Sequence, residues 1–297
     1  MRTIVGLAAA LIALASVASA EEYEITDRPG VVFAEHDGTK LVGDFYLPKG
    51  RARAPALVAI HGGGWRGGSR KYYFYWGFFL ARAGYAVFSI DYRLGKPGMY
   101  PAAIYDAKAA VQFVRANASD FDIDPDRIAL MGDSAGGYLA AMLALAGHKF
   151  ADRGDAGAPG PVNVKTVVAF YGIYDLQAQW KQDMKVSPGD SITEDFLGVP
   201  PSQNEPLYRE ASPISYVTPD RKDVHFLLIH GDQDNLVDPS SQSRAFAGAL
   251  TQAGVDARLI MVPGAGHLWV SQPFEADPHS YSAQVIPQLM RFLKSTL

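Results

Sequence analysis

The chain has 297 residues, a formal net charge of −4 and no cysteine. Apolar residues make up 48% and charged residues 20%, the proportions of an ordinary globular chain able to bury a large core. The lack of cysteine excludes disulfides, thiol nucleophiles and thiolate metal sites, and with no basic run a nucleic-acid partner is not expected.

The first segment reads as an export signal. Arg2 supplies a positive start, Ile4 to Val17 is an apolar stretch, and Ala18-Ser19-Ala20 is a small-residue cleavage site. This three-part pattern predicts a signal peptide over residues 1–20 and an exported protein, periplasmic or extracellular. The stretch is short for a membrane span, and no later segment is long and apolar enough, so no stable membrane insertion is expected.

Beyond residue 20, Val31 to Phe33 and Leu41 to Leu47 are β-rich runs around Asp37-Gly38, a hairpin signal. Ala56 to Ile60 is a short apolar run that predicts a buried strand. Tyr72 to Ala83 predicts a helix ended by Gly84, with Tyr72, Trp76, Phe79 and Ala83 on one core-facing side. Tyr85 to Ile90 is the next buried strand, and Pro101 to Asn117 has a helical period with proline in its first turn. Arg127 to Met131 predicts a strand and Ala135 to His148 an alanine-rich helix. Val164 to Phe170, His225 to His230 and Ala257 to Val262 are further strands, with helices over Ser240 to Ala253 and Ser282 to Leu297.

Continuous apolar strands alternating with helices predict an α/β fold. Its central sheet is mostly parallel, helices cover both faces, and the N-terminal antiparallel hairpin lies at one edge. Residues 21–297 are expected to form one domain. The alternation breaks from Asp175 to Asp220, a stretch rich in Pro, Ser, Asp and Gln. Long ordered insertions of this kind tend to be functional, so a lid-like insertion is expected at about 175–220.

Four strings carry chemistry. Gly132-Asp133-Ser134-Ala135-Gly136 places a serine on a tight turn between a predicted strand and a predicted helix, where large neighbours would collide. Such a serine is a candidate nucleophile, with the helix N-terminus directed at the reacting oxygen. His61-Gly62-Gly63-Gly64-Trp65 follows a buried strand, and its glycines let backbone N–H groups approach an anionic oxygen. The N–H groups of Gly63, Gly64 and Ala135 are the expected oxyanion donors, and Trp65 a candidate for the substrate pocket, with Trp180 and Trp269 as further contributors. After the serine come His230-Gly231-Asp232-Gln233-Asp234-Asn235-Leu236-Val237-Asp238 and Pro263-Gly264-Ala265-Gly266-His267, both at the C-terminal ends of predicted strands. His267 is the candidate base, with His279 its one rival in suitable chain order. Asp234 is the favoured acid, although spacing does not separate it from Asp232 and Asp238. His230 and His61 read as buried hydrogen-bonding supports. Asp133 is expected to be a structural hydrogen-bonder.

HGGGW at 61–65, GDSAGG at 132–137, HGDQDNLVD at 230–238 and GAGH at 264–267 together resemble the hormone-sensitive-lipase-like and feruloyl-esterase-like carboxylesterases of the α/β-hydrolase fold. Asp91-Tyr92-Arg93 and Tyr100-Pro101-Ala102-Ala103 are similar to that group as well. The resemblance runs over nearly all of the chain beyond residue 20. It implies Ser134, Asp234 and His267 as a catalytic triad, and Gly63, Gly64 and Ala135 as the oxyanion hole. It implies no cofactor and no metal. The expected activity is hydrolysis of short-chain or aryl/acetyl esters, free or linked to polysaccharide, through an acyl-enzyme. There is one departure: fuller lipase-like members carry an N-terminal helical cap, whereas this chain has strands there, so preferences tied to that cap do not carry over. An amidase or peptidase of the same fold, and a noncatalytic binding protein, are the alternatives.

Overall fold

The computed structural model describes residues 22–36, 38–150 and 162–297. The signal peptide expected at 1–20 and Asp37 of the hairpin signal lie outside the described residues. The hairpin is longer than its apolar runs suggest: β1 (Ile25–His36) pairs antiparallel with β2 (Thr39–Pro48), register shifts interrupting the ladder. The remaining strands are β3 (Ala54–Ile60), β4 (Ala86–Ile90), β5 (Ile123–Asp133), β6 (Thr166–Phe170), β7 (His225–Gly231) and β8 (Asp256–Val262). They form one sheet in the order β1-β2-β4-β3-β5-β6-β7-β8, antiparallel as far as β4 and parallel from there to β8. All of β3 is buried, as a strand covered on both faces requires, whereas β8 at the edge keeps partly exposed positions.

Two apolar layers cover the sheet. One face carries α2 (Ala102–Ala116), α3 (Ala135–Ala146) and α7 (Ala245–Gln252), and the other α1 (Phe74–Arg82) and α8 (Tyr281–Thr296). Every residue of α3 is buried, which accounts for its alanine-rich, all-round apolar sequence. This is the α/β-hydrolase fold, with the N-terminal hairpin where the sequence puts it.

Two helix starts differ from expectation. The predicted helix at Tyr72 opens as a 3-10 turn over Arg70–Tyr73, because Asp91 takes the Arg70 N–H at 2.7 Å and Ser69 caps the turn. Tyr73 joins Trp76 in the core as a result, while Tyr72, Phe79 and Ala83 are only half-buried. The predicted helix at Ser240 opens as a wide π-type turn over Ser240–Arg244, where the Gln242 side chain is drawn to the backbone of Tyr174 and Asp175.

The stretch at about 175–220 contains three short helices, α4 (Leu176–Val186), α5 (Ile192–Leu197) and α6 (Glu205–Glu210). Each is opened by a side-chain cap: Asp175 accepts from Ala178 N–H, Ser191 from Glu194 N–H and Asn204 from Leu207 N–H.

Candidate active site

The strand ends of β3, β5, β7 and β8 bring the four strings together. Ser134 links β5 to α3 at φ +51°, a left-handed conformation that a non-glycine residue adopts only under constraint. The constraint is close backbone packing. A Cβ on Gly132 would strike the Gly136 carbonyl, and one on Gly136 would strike the Ile60 carbonyl. Phe170 on β6 accepts the Ser134 N–H at 2.9 Å, and the Ser134 carbonyl accepts the first bond of α3, from Tyr138, at 3.0 Å.

His267 lies just beyond β8. Its Nε2 is 3.0 Å from Ser134 Oγ, and its Nδ1 is 2.6 Å from Asp234 Oδ2. The three aspartates after β7 separate by geometry. Asp232 accepts the Gly264 N–H and Asp238 the Ser241 N–H, whereas Asp234 alone of the three meets His267. His279 is held at the start of α8, its N–H bonded to Asp277 and its carbonyl to Gln284.

Asp234 is well supported. Its Oδ1 accepts the N–H groups of Leu236 and Val237, each at 3.0 Å. Fully buried His230 reaches its Oδ2 at 3.2 Å and is itself anchored through Nδ1 to the Ser243 hydroxyl at 2.6 Å. Burial works against the charge on Asp234. Hydrogen bonds from His230 and His267, the charge of His267 and the Val237 N–H outweigh that cost, and hold the carboxyl well below the usual carboxylate range.

Asp133 behaves in the opposite sense. It is 3% exposed, and burial pushes its carboxyl up to about 6, against the opposing pull of the Gly62 N–H, the His267 charge and the Tyr73 hydroxyl. Its Oδ1 accepts the Gly62 N–H at 2.9 Å, which pins the glycine loop to the serine turn. That loop needs its glycines. Gly63 stands at φ +115°, where a Cβ would strike the Gly67 carbonyl, and Gly64 at φ +60°. His61 also acts as a support: it is buried, bonds the Gly62 carbonyl at 2.7 Å and stacks on Tyr92. Ala135, the first residue of α3, is fully buried directly after the serine.

A cleft of about 260 Å³ opens over Ser134 and His267, with Gly63 and Gly64 in its wall. The insertion contributes Gln179, Val186 and Ile192 to that wall, and the loop after Asp234 contributes Leu236 and Val237. Gln179 and Gln182, one turn apart on α4, donate to the carbonyls of Leu236 at 3.0 Å and Asn235 at 2.6 Å. From the other side Arg66, next to Trp65, reaches Asp190 and Asp195, each at 2.7 Å. The insertion is therefore tied both to the loop that carries Asp234 and to the glycine loop.

Trp65 is a correction. It does not line the cleft; it is 2% exposed, stacked on Phe196 at 4.2 Å and edge-on to Tyr138 at 5.2 Å. A large apolar ring with aromatic partners on α3 and α5 gains more from that packing than from an open wall. Trp269 is likewise buried, against Phe170 and Tyr171, and Trp180 donates to Glu194; neither lines the cleft.

Sequence reasoning did not single out Tyr171. This residue follows β6 at φ +37°, fully buried, with its ring centroid 4.4 Å from that of His267. Its hydroxyl accepts the Val270 N–H at 3.2 Å, and its own N–H bonds Ile229 on β7 at 2.7 Å. The only available signal was its place at the end of the strand between β5 and β7. Trp65, Ser134, Tyr171 and Leu268 all hold positive φ near the site, the kind of local strain that packing must over-determine. No group of three or more His, Cys, Asp or Glu able to hold a metal occurs among the described residues.

The family model for BD-FAE matches residues 43–250, more than half of the chain and every element that carries Ser134 and Asp234. The chain belongs to the BD-FAE family. Its similarity to individual proteins points the same way. Esterase LipQ of Mycobacterium tuberculosis is 36% identical over 214 residues, which is 70% of this chain and 48% of LipQ. A truncated carbohydrate esterase from gut microbiota has a structure similar at a TM-score of 0.75 and 29% identity, covering 94% of this chain and 98% of that one. The butyrate-bound esterase of Thermogutta terrifontis shares the fold, at a TM-score of 0.72 and 23% identity over 92% of this chain and 94% of its own. The chain spans about half the length of the curated mycobacterial esterases it matches.

Proposed function

We propose that this BD-FAE protein is a serine carboxylic ester hydrolase that works through an acyl-enzyme on Ser134. The observation that carries the reading is the unbroken chain Ser134 Oγ, His267 and Asp234, at 3.0 and 2.6 Å, beside a glycine loop and inside a cleft. In this reading His267 Nε2 takes the hydroxyl proton as Ser134 Oγ attacks the ester carbonyl, and Asp234 holds the ring through Nδ1 and stabilises the imidazolium. The N–H groups of Gly63, Gly64 and Ala135 receive the negative charge that develops on the carbonyl oxygen. His267 then returns the proton to the leaving alcohol, and water, activated by the same imidazole, releases the acid. A cleft of about 260 Å³ suits a small acyl group, which supports short-chain, acetyl or aryl esters as substrates.

The apolar stretch and small-residue triplet before Glu21 support export to the periplasm or the exterior. No helix among the described residues is long and apolar enough to cross a membrane.

The test is hydrolysis of para-nitrophenyl acetate by the wild type and by Ser134→Ala, with circular dichroism to establish that both are folded. Turnover in the wild type and its loss in the variant is the expected result. Turnover that survives in Ser134→Ala refutes the serine mechanism, and a folded wild type that cleaves an anilide but no ester shifts the reading to an amidase.

A further inference from the structure

Tyr171 stands where the segments carrying Ser134, Asp234 and His267 meet. The peptide group between Phe170 and Tyr171, at the end of β6, is bonded on both sides. Its carbonyl accepts the Ser134 N–H at 2.9 Å, and its N–H donates to the Ile229 carbonyl at 2.7 Å, one residue before the His230 that supports Asp234. The chain turns at Tyr171 with φ +37°, and the next position leaves no room for a side chain: a Cβ on Gly172 would strike the Tyr174 hydroxyl. The Tyr171 ring, fully buried, lies 4.4 Å from the His267 ring, centroid to centroid, at an interplanar angle of 56°. Trp269 backs the tyrosine ring at 5.5 Å. The Tyr171 hydroxyl reaches past His267 and accepts the Val270 N–H at 3.2 Å, spanning Leu268 at φ +64°. A single residue is therefore joined, through its backbone or its side chain, to the segments that carry the nucleophile, the acid and the base.

We infer that Tyr171 is a positioning residue for the triad, and that its ring holds the His267 imidazole at the tilt from which it meets Ser134 and Asp234 together. The inference rests on the ester-hydrolase reading. The bonds at Nε2 and Nδ1, 3.0 and 2.6 Å, both lie at the rim of the imidazole. They set where its edge points but leave it free to swing about the line between the two nitrogens, and a flat ring packed beside it stops that swing. The bond to Ser134 is lost while the serine carries an acyl group, so the hold of Asp234 and Tyr171 matters most in the second half of the reaction. The same ring lies close enough for its π electrons to favour the imidazolium that forms as the proton is taken. The hydroxyl takes no part in proton transfer: burial pushes its pKa well above the ordinary value, and it is turned to Val270.

The test compares Tyr171→Phe, which keeps the ring, with Tyr171→Leu and Tyr171→Met, which fill the site without one. Each is assayed on para-nitrophenyl acetate well below its own unfolding midpoint. The Leu and Met variants are expected to lose about a hundredfold in kcat with KM within about threefold of the wild type, the mark of a misplaced base rather than a damaged binding site. Tyr171→Phe is expected to restore kcat to within about threefold of the wild type. Proton NMR supplies a second readout, the downfield resonance of the Nδ1 proton between His267 and Asp234, identified by its disappearance in His267→Ala. That resonance is expected to persist in the wild type and Tyr171→Phe and to be lost to exchange in the Leu and Met variants. A folded Leu or Met variant with near wild-type kcat, a defect that falls on KM, a Phe variant as impaired as Leu, or a resonance indifferent to the ring would each overturn the inference while leaving the ester hydrolase standing. Failure of both Leu and Met variants to fold would make Tyr171 a core residue only and overturn it as well. A wild type that cleaves no ester, or cleavage that survives Ser134→Ala, would overturn the underlying reading and the inference with it.

Discussion

Replacing Asp133 by asparagine isolates the energetic cost of the charge buried beside the serine. The side chain is 3% exposed, and its carboxyl is raised from an ordinary 3.8 to about 6, chiefly by burial. A carboxyl whose folded pKa is raised contributes stability below its unfolded pKa and loses it as the pH climbs through the folded value. The full shift corresponds to about 3 kcal/mol, of which about 2 kcal/mol falls between pH 4.5 and 7.5. Asparagine keeps an oxygen for the Gly62 N–H and presents its N–H₂ towards the Tyr73 hydroxyl beside it. Urea unfolding of wild type and Asp133→Asn across that pH range should therefore show the variant gaining about 2 kcal/mol on the wild type as the pH rises. The comparison between the two proteins cancels titrations they share, among them that of Asp234. A difference independent of pH would refute the claim that burial dominates the environment of Asp133. Asp133→Ala, which also releases Gly62, is expected to lower kcat where Asp133→Asn largely preserves it.

Asp234→Asn should lower kcat by about four orders of magnitude with little change in KM, because the amide cannot hold His267 in the productive tautomer; steady-state kinetics on a chromogenic ester checks this. Trp65→Ala should destabilise the fold by about 3–5 kcal/mol through the cavity between Phe196 and Tyr138. Below its unfolding transition KM should stay near the wild-type value, and a large rise in KM with unchanged stability would restore Trp65 to the substrate pocket.

Much of the fold was legible because its signals are local. The buried run Ala56 to Ile60 and the Gly-x-Ser-x-Gly turn depend on neighbours a few residues away, whereas the capped helices α4, α5 and α6 were not read from their sequence. The juxtaposition of Ser134 with His267 could be anticipated only through topology, since both follow parallel strands that end at the same edge. What stayed hidden depends on long-range packing. Asp232, Asp234 and Asp238 are equivalent in spacing, and which one meets His267 is decided by how the loop folds back onto its own N–H groups. Trp65 looked like a wall of the pocket because it adjoins the glycines, but Phe196, far along the chain in α5, claims its ring. Tyr171 carries no motif at all. The register shifts of the hairpin and the side-chain ties from α4 to the loop after Asp234 likewise join segments that no sequence period connects.

The central claim is that Ser134 is the nucleophile, and covalent trapping tests it most directly. The full-length protein is treated with a limiting organophosphate ester, residual esterase activity is followed, and the modified peptide is located by mass spectrometry. The expected result is a single adduct on the peptide containing Ser134, formed in step with the loss of activity and absent from Ser134→Ala. Inactivation with the adduct on another residue, or an adduct on Ser134 that leaves ester hydrolysis intact, would contradict the account.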